Sequence, residues 1–591
     1  MRSFWRFAGG LLALLIAASA TAADPAKVLR IAFPVAETGF DPVKVSDLYS
    51  NTVNEAIFDT LLTYDYLARP AKLVPKTADG MPEISDGGRT YLIHLKRGIY
   101  FAPDPAFKGQ KRELVAEDYV YSFKRFADPS NRSPYAFMIQ GRIEGLDEAT
   151  EQAKKTGKFD YDAVIPGMVA LDKYTLRFKL TKVDYLFPYT LAHVVFGAVA
   201  REVIEAYAND TNAHPVGTGP YMLKEWRRAA RIVLEANPNY RQEVWDFQPN
   251  ADDAWDQRVV AAMKGKTIPQ IGRVEISVIE ESQSRWLAFN RKELDLLAVP
   301  PTFVGEALDD QNNLLPQWTA QNVTLFRAID PSVGYSFFNF RDPILGGFTK
   351  EKIALRRAIS MGYELGQEIA VIAKHQEVQA QMPIPYGVVG YDPNYRDVNQ
   401  YDPALANKLL DYYGYKRGAD GYRTLPDGKP MVIHMATGTA AIDREYSELW
   451  KRSMDAIGVR MIFDPGKFAD HLKAAKACQL MMWQAAWTAD YPDGDNFMQL
   501  FYGPNTGESN NGCYESKAFD AMYERSLTLS PDSVERQQLF IDMTRQVQVD
   551  GAWSLHASPI RNQLIRPWVL GYKKHPSLNA DWVYMDLEPR S

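Results

Sequence analysis

A mixed α/β chain divided into two or three lobes is predicted by three observations. Apolar residues recur with a period of two in some stretches and about 3.6 in others, and the two kinds alternate from end to end. With 591 residues, 46% of them apolar and 24% charged, the chain can bury more core than one ordinary domain needs. No fixed-period repeat, low-complexity tract or long linker breaks the alternation.

The first segment is expected to lie outside the fold. Arg2 and Arg6 precede an apolar run over 7–20 that ends in Ala20, Thr21 and Ala22, the pattern of a cleavable signal peptide over 1–22. A retained anchor would need roughly 20 apolar residues to cross a bilayer, and this run stops short. A lipid anchor would need a cysteine at the cut, whereas the only cysteines are Cys478 and Cys513. The expected product is a periplasmic protein that is not a lipoprotein. Losing Arg2 and Arg6 from the 67 Lys and Arg leaves 65 against 73 Asp and Glu, so no nucleic-acid partner is expected.

Residues 28–33 then read as a strand and 47–62 as a helix, an opening βα unit. A strand follows over 89–101, with Tyr91, Ile93 and Leu95 on one face and a turn at Gly98. An amphipathic helix is expected at 117–126 and a strand at 175–180. Between them, 144–161 carries too many charges for its few apolar residues and reads as a surface excursion. A Gly/Pro turn after Pro215 leads into strands at 221–226 and 231–236. Residues 331–348 read as a strand and turn, with a helix behind them over 349–361. Helices at 403–413 and 444–457 and strands at 431–435 and 478–488 complete the alternation.

The last of these strands is asymmetric. Side chains alternate faces along a strand, so Trp483, Ala485 and Trp487 share one face while Gln484, Ala486, Thr488 and Asp490 share the other. One face is bulky; the other is small and polar and ends in a carboxylate. Small residues admit a second backbone, which the strand's amides would pair as one more strand. Asp490 would then either hold an ammonium through a charge-assisted hydrogen bond or cap the turn that follows at Pro492 and Gly494. Trp483 and Trp487 either stack on a ligand ring or fill the core.

Other chemistries lack their residues. Gly265-Lys266-Thr267 ends like a phosphate loop, but the glycine needed five positions earlier is Val260, so it reads as an exposed basic turn. Gly217 and Gly219 lack the third glycine of a dinucleotide site. Asp490, Asp493 and Asp495 lack calcium-loop spacing, and Pro492 interrupts them. There is no His-Glu-x-x-His pair and no Gly-x-Ser-x-Gly elbow, and His434 and His556 fall in strands as ordinary structural residues. No enzyme activity, metal or cofactor is expected. Cys478 and Cys513 are either a disulfide or two buried thiols, and their spacing is not that of a zinc site.

Several signatures occur in a fixed order: Phe40-Asp41-Pro42, Ile57-Phe58-Asp59-Thr60-Leu61-Leu62, Leu95-Lys96-Arg97-Gly98-Ile99-Tyr100-Phe101, and Ala116-Glu117-Asp118-Tyr119 continuing to Arg125. Gly217-Thr218-Gly219-Pro220-Tyr221 follows with Trp226 and Leu234-Glu235-Ala236-Asn237-Pro238-Asn239-Tyr240. Then come Asn339-Phe340-Arg341-Asp342-Pro343, Arg356-Arg357-Ala358-Ile359, Tyr401-Asp402-Pro403-Ala404 and Trp487-Thr488-Ala489-Asp490-Tyr491-Pro492. Together they resemble the large extracellular solute-binding family of peptide and nickel importers of the ATP-driven class, across almost the whole mature chain.

That resemblance implies a three-lobed periplasmic binding protein of α/β class, a flytrap hinged on two crossing strands near Ser332 and Pro559. The first lobe would comprise 23–66, 190–332 and 558–591, the second 67–189 and the third 333–557. It implies a monomer that holds a peptide or peptide-like solute between the first and third lobes and delivers it to an inner-membrane permease with ATPase subunits. Asp490 would receive the ligand's amino terminus, with backbone partners at Ala486, Thr488 and Leu48 and with Trp487 in the same segment. Two positions depart from the pattern. Gln484 stands where tripeptide binders place an arginine for the ligand carboxylate, and Ser46 where some relatives carry an acid. The 12% aromatic content leaves an oligosaccharide or glycoconjugate ligand as the alternative, and a periplasmic chaperone as a further one.

Overall fold

Helices and strands alternate along the chain, and the described residues include four sheets of four or five strands. The computed structural model describes residues 23–590, so the expected signal peptide over 1–22 lies outside them. Among the described residues no helix is long and apolar enough to cross a membrane.

The opening strand, Asp24–Phe33, pairs in parallel with Ile271–Val278, and Arg231–Ala236 and Tyr221–Arg227 extend that sheet antiparallel. A second sheet is formed from Glu83–Ser85, Thr90–His94, Thr175–Lys179 and Met168–Asp172. Residues 67–189 do not close off a core of their own. Tyr91, Phe123 and Phe178 belong to the same buried cluster as Leu29, Ile232 and Trp568.

The five-stranded sheet runs Arg460–Pro465, Val432–Thr437, Met482–Thr488, Ser332–Phe338, Trp553–Leu555. It is buried on both faces, by the cluster of Val333, Tyr335 and Phe337 on one side and by that of Phe338, Ile433 and Met482 on the other. Strand Thr324–Ile329 leads into Ser332–Phe338, and Trp553–Leu555 leads back into Ala557–Ile565. These two passages lie side by side: the Asp330 amide donates to the Pro559 carbonyl at 2.9 Å and the His556 amide to that of Gly334 at 2.9 Å.

Three elements differ most from the sequence expectation, each for a local reason. The helix expected over 47–62 is Leu48–Ile57, and Leu62 starts a short strand. The Gly219 amide donates to the Ile57 carbonyl at 2.8 Å, and a Cβ on Gly217 would sit 2.1 Å from that oxygen. The glycine pair therefore serves close backbone approach as well as turning. The excursion at 144–161 contains the helix Leu146–Thr156, which buries Leu146 and Ala153, two turns apart on one face, and packs on helix Ala116–Ala127. The strand expected from 478 begins at Met482, because Cys478 takes a left-handed φ of 56° and is disulfide-bonded to Cys513. The turn at Gly265 is exposed at Lys264 and Gly265, as expected, while Lys266 is half-buried and drawn against Asp586 at 2.6 Å.

Candidate functional site

The Met482–Thr488 strand has one open edge. Its pairing with Val432–Thr437 is confined to Met482 and Trp483, whereas its pairing with Ser332–Phe338 runs the whole length. Backbone groups of successive residues point to opposite edges of a strand. The Ala489 amide donates to Pro331, toward the paired side, so the amides and carbonyls of Ala486 and Thr488 point to the open side. The small face is doubled as well, since Thr488, Ala486 and Gln484 lie opposite Ser332, Gly334 and Ser336.

Asp490 lies two residues beyond the strand's end, exposed to the cleft. It does not cap the following turn. That role falls to Asp493, whose carboxylate accepts from the Asp495 amide at 2.9 Å. The Asp490 carboxylate accepts instead from the Asn496 side-chain amide at 3.0 Å, and the Asp490 amide donates to the Asn496 oxygen at 3.1 Å. Surrounding walls desolvate the carboxyl and raise its pKa, against which the Asn496 hydrogen bond works. Asp493 and Asp495, the other acids of this turn, are engaged by Arg536 and by the Tyr491 hydroxyl.

Four cavities meet around this strand end. One of about 420 Å³ is lined by Ser46, Leu48, Glu55, Tyr135, Thr488 and Asp490. Asp490 also borders one of about 530 Å³ toward Tyr189 and Tyr491, whose rings stack at 5.6 Å. Leu48 and Thr488 border a third, of about 740 Å³, which runs past Arg327, Arg561 and Lys574. The fourth, about 510 Å³, lies over Gln484, Ala485 and Ala486 and beside Ser332 and Pro559.

The opposite wall is set by a helix start. Asp47 accepts from the Ser50 amide at 2.7 Å, an N-cap that begins helix Leu48–Ile57 and leaves its first residue, Leu48, 52% exposed in the cleft. Ser46 is exposed beside it, and its carbonyl accepts from the Tyr135 hydroxyl at 3.5 Å. Burial, and then the facing Asp490, push the Tyr135 phenol up to about 12.

The structure thus brings together Ser46, Leu48, Gln484, Ala486, Thr488 and Asp490. It separates Trp487, which lines none of these cavities. The period of two puts its ring on the other face, where the indole Nε1 donates to Asn496 at 2.9 Å. Trp483 is 6% exposed, within the apolar core. His434 is exposed and bonded to Asp464, while His556 is buried between Ser336 at 3.0 Å and Glu368 at 2.9 Å. That relay resembles the wiring of a hydrolase nucleophile, but Ser336 is fully buried and lines none of these four cavities.

Sequence reasoning missed Asn496, Tyr135 and the acidic side of the fourth cavity, Glu368, Glu377 and Asp443. Asn496 had one faint signal, a polar residue directly before the apolar Phe497 and Met498. Glu368 and Glu377 sit in short elements, Glu368–Ile372 and Glu377–Gln379, and Asp443 in the first turn of helix Ala441–Ile457, where an acid is ordinary, so the local pattern carries no sign of the cleft.

Comparison with known proteins agrees with this architecture. Residues 72–509 match the family described as "Bacterial extracellular solute-binding proteins, family 5 Middle". Di/tripeptide-binding protein 2 of Pseudomonas aeruginosa is 25% identical, with 98% of each chain aligned. Heme-binding protein A of Haemophilus influenzae is 24% identical over 92% of this chain and 89% of that one. Among solved structures, the periplasmic binding protein DppA of Helicobacter pylori, in complex with the peptide STSA, superposes with a TM-score of 0.68 at 23% identity. That match covers 95% of this chain and 98% of that one, and it establishes the fold. With its middle region matched over more than half of its length, the chain belongs to the family 5 bacterial extracellular solute-binding proteins.

Proposed function

We propose that this protein is the periplasmic substrate-binding component of an ATP-driven importer, and that it captures peptides or peptide-like solutes in the cleft around Asp490. One observation carries the reading: a strand edge whose Ala486 and Thr488 backbone groups are unpaired ends at a carboxylate and faces Leu48 across an open cleft. An extended ligand added to that edge would gain main-chain hydrogen bonds regardless of its side chains. Its ammonium would meet Asp490. The peptide-binding names of several relatives support this choice.

In this reading the two adjacent passages at Asp330 and Pro559 act as the hinge between a first lobe (23–66, 190–332, 558–591) and a third (333–557), with 67–189 as the second. A ligand that touches both walls favours the closed arrangement and shifts the equilibrium toward it. The loaded monomer would then dock on an inner-membrane permease, and ATP hydrolysis would belong to other subunits. The chain itself would catalyse nothing.

Mass spectrometry of small molecules released from protein purified out of its native periplasm tests the reading. Co-purified peptides with free amino termini are expected. Recovery of glycans or heme alone would overturn it.

A further inference from the structure

The cavity over Gln484–Ala486 is acidic. Glu368, Glu377 and Asp443 line it and, among the described residues, no lysine or arginine does. Glu368 is satisfied, taking hydrogen bonds from His556 Nδ1 at 2.9 Å and from the Tyr363 hydroxyl. Glu377 is not: its Oε2 is buried with no hydrogen-bond partner. A second buried polar atom shares that condition. Trp450 is fully buried, lines the same cavity, and its indole Nε1 has no partner. Buried polar groups without partners are rare in folded proteins, and they are expected where a ligand completes the site: the Glu377 oxygen calls for a donor, the Trp450 N–H for an acceptor such as a peptide carbonyl.

The floor is the small face of the sheet, Gly334 and Ala486, so the space above it is kept clear of the protein's own side chains. Distance along the strand sets which part of a ligand arrives there. Ala486 lies four residues before Asp490, roughly 13 Å in an extended strand. The Asp490 side chain and its hydrogen bond to the amine take up the first part of that span, so a peptide lying on the open edge brings its third or fourth residue over the cavity.

We propose that this cavity receives a cationic side chain, an ammonium or guanidinium, from the third or fourth residue of the bound peptide, so that the preferred cargo is peptides with a basic residue there. The inference rests on the peptide reading of the cleft. Glu377 supplies the unpaired acceptor, Glu368 and Asp443 add negative potential, and the ring of Tyr446 flanks the aliphatic stem and the charge. A ligand carboxylate would face three acids with no lysine or arginine lining the cavity to offset them.

Isothermal titration calorimetry of the full mature chain with the tetrapeptides Ala-Ala-Lys-Ala and Ala-Ala-Ala-Lys tests this. Norleucine and glutamate replacements at the same positions serve as comparisons. At one of the two positions lysine is expected to bind about tenfold or more tighter than norleucine, with glutamate weakest, as a charge-assisted hydrogen bond implies. Glu377→Gln is expected to remove most of the lysine-over-norleucine preference. Equal affinity for lysine and norleucine at both positions, with the peptides still bound, would overturn the acidic subsite alone. Failure of every peptide to bind would overturn the peptide reading and the subsite with it.

Discussion

Arg536 and Asp493 meet as a two-pronged ion pair, at 2.9 and 2.6 Å, with both side chains shut off from water. The pair pins the turn that follows Asp490, so it links packing of helix Val534–Val549 to the placement of the carboxylate in the cleft. Asp493→Asn would leave a buried guanidinium uncompensated, which typically costs about 3–5 kcal/mol. Chemical denaturation should show a loss of that order. A loss below about 1 kcal/mol, the scale of an exposed pair, would mean that the turn is held by other contacts.

The Cys478–Cys513 disulfide closes a loop with a sequence separation of 35 residues, and that loop contains the whole Met482–Thr488 strand and Asp490. Loop-closure entropy assigns such a cross-link about 3–4 kcal/mol. The double Cys→Ser variant should unfold at correspondingly lower denaturant, and reduction of the wild type should lower the midpoint alike. An unchanged midpoint would show that the apolar clusters alone fix the strand.

Much of this arrangement was legible in the sequence. Phe40-Asp41-Pro42 and the 116–125 segment, far apart in the chain, meet through Arg125 and Asp41 at 2.9 and 2.8 Å, a buried ion pair that ties the two signatures together. The period of two along 483–488 gave the correct faces, and applied strictly it also excludes Trp487 from the ligand side. What stayed hidden depends on tertiary contact. Asn496 reaches back to Asp490 from the next turn, and Glu377 joins the cleft by lying opposite Pro559, near the far end of the chain. No local pattern encodes such a meeting.

Affinity for a basic peptide should depend on pH through Glu377. Burial first, then Glu368, raise its carboxyl to about 7, and His556 works against them. The hydroxyls of Tyr363 and Tyr446 face the same group, and both are raised by burial and by nearby acids. An acid with a raised pKa is neutral below it, so the charge that holds a cation appears as pH rises through 7. The affinity ratio of lysine over norleucine peptide, which cancels titration of the peptide's own amine, should rise between pH 6 and 8 and level off above. Below pH 7 binding of the lysine peptide should release protons. A ratio that is flat with pH, or falls, would exclude Glu377 as the partner.

The most direct test of the central claim compares wild type and Asp490→Asn for one peptide in two forms, with a free amino terminus and N-acetylated. Hydrogen bonds to charged groups carry about 1.5–3 kcal/mol, so the variant should bind the free-amine peptide roughly ten- to a hundredfold more weakly. Its affinity for the acetylated form should stay close to that of wild type. Equal loss for both forms, or none for either, would contradict the assignment of Asp490 as the residue that receives the ligand's amine.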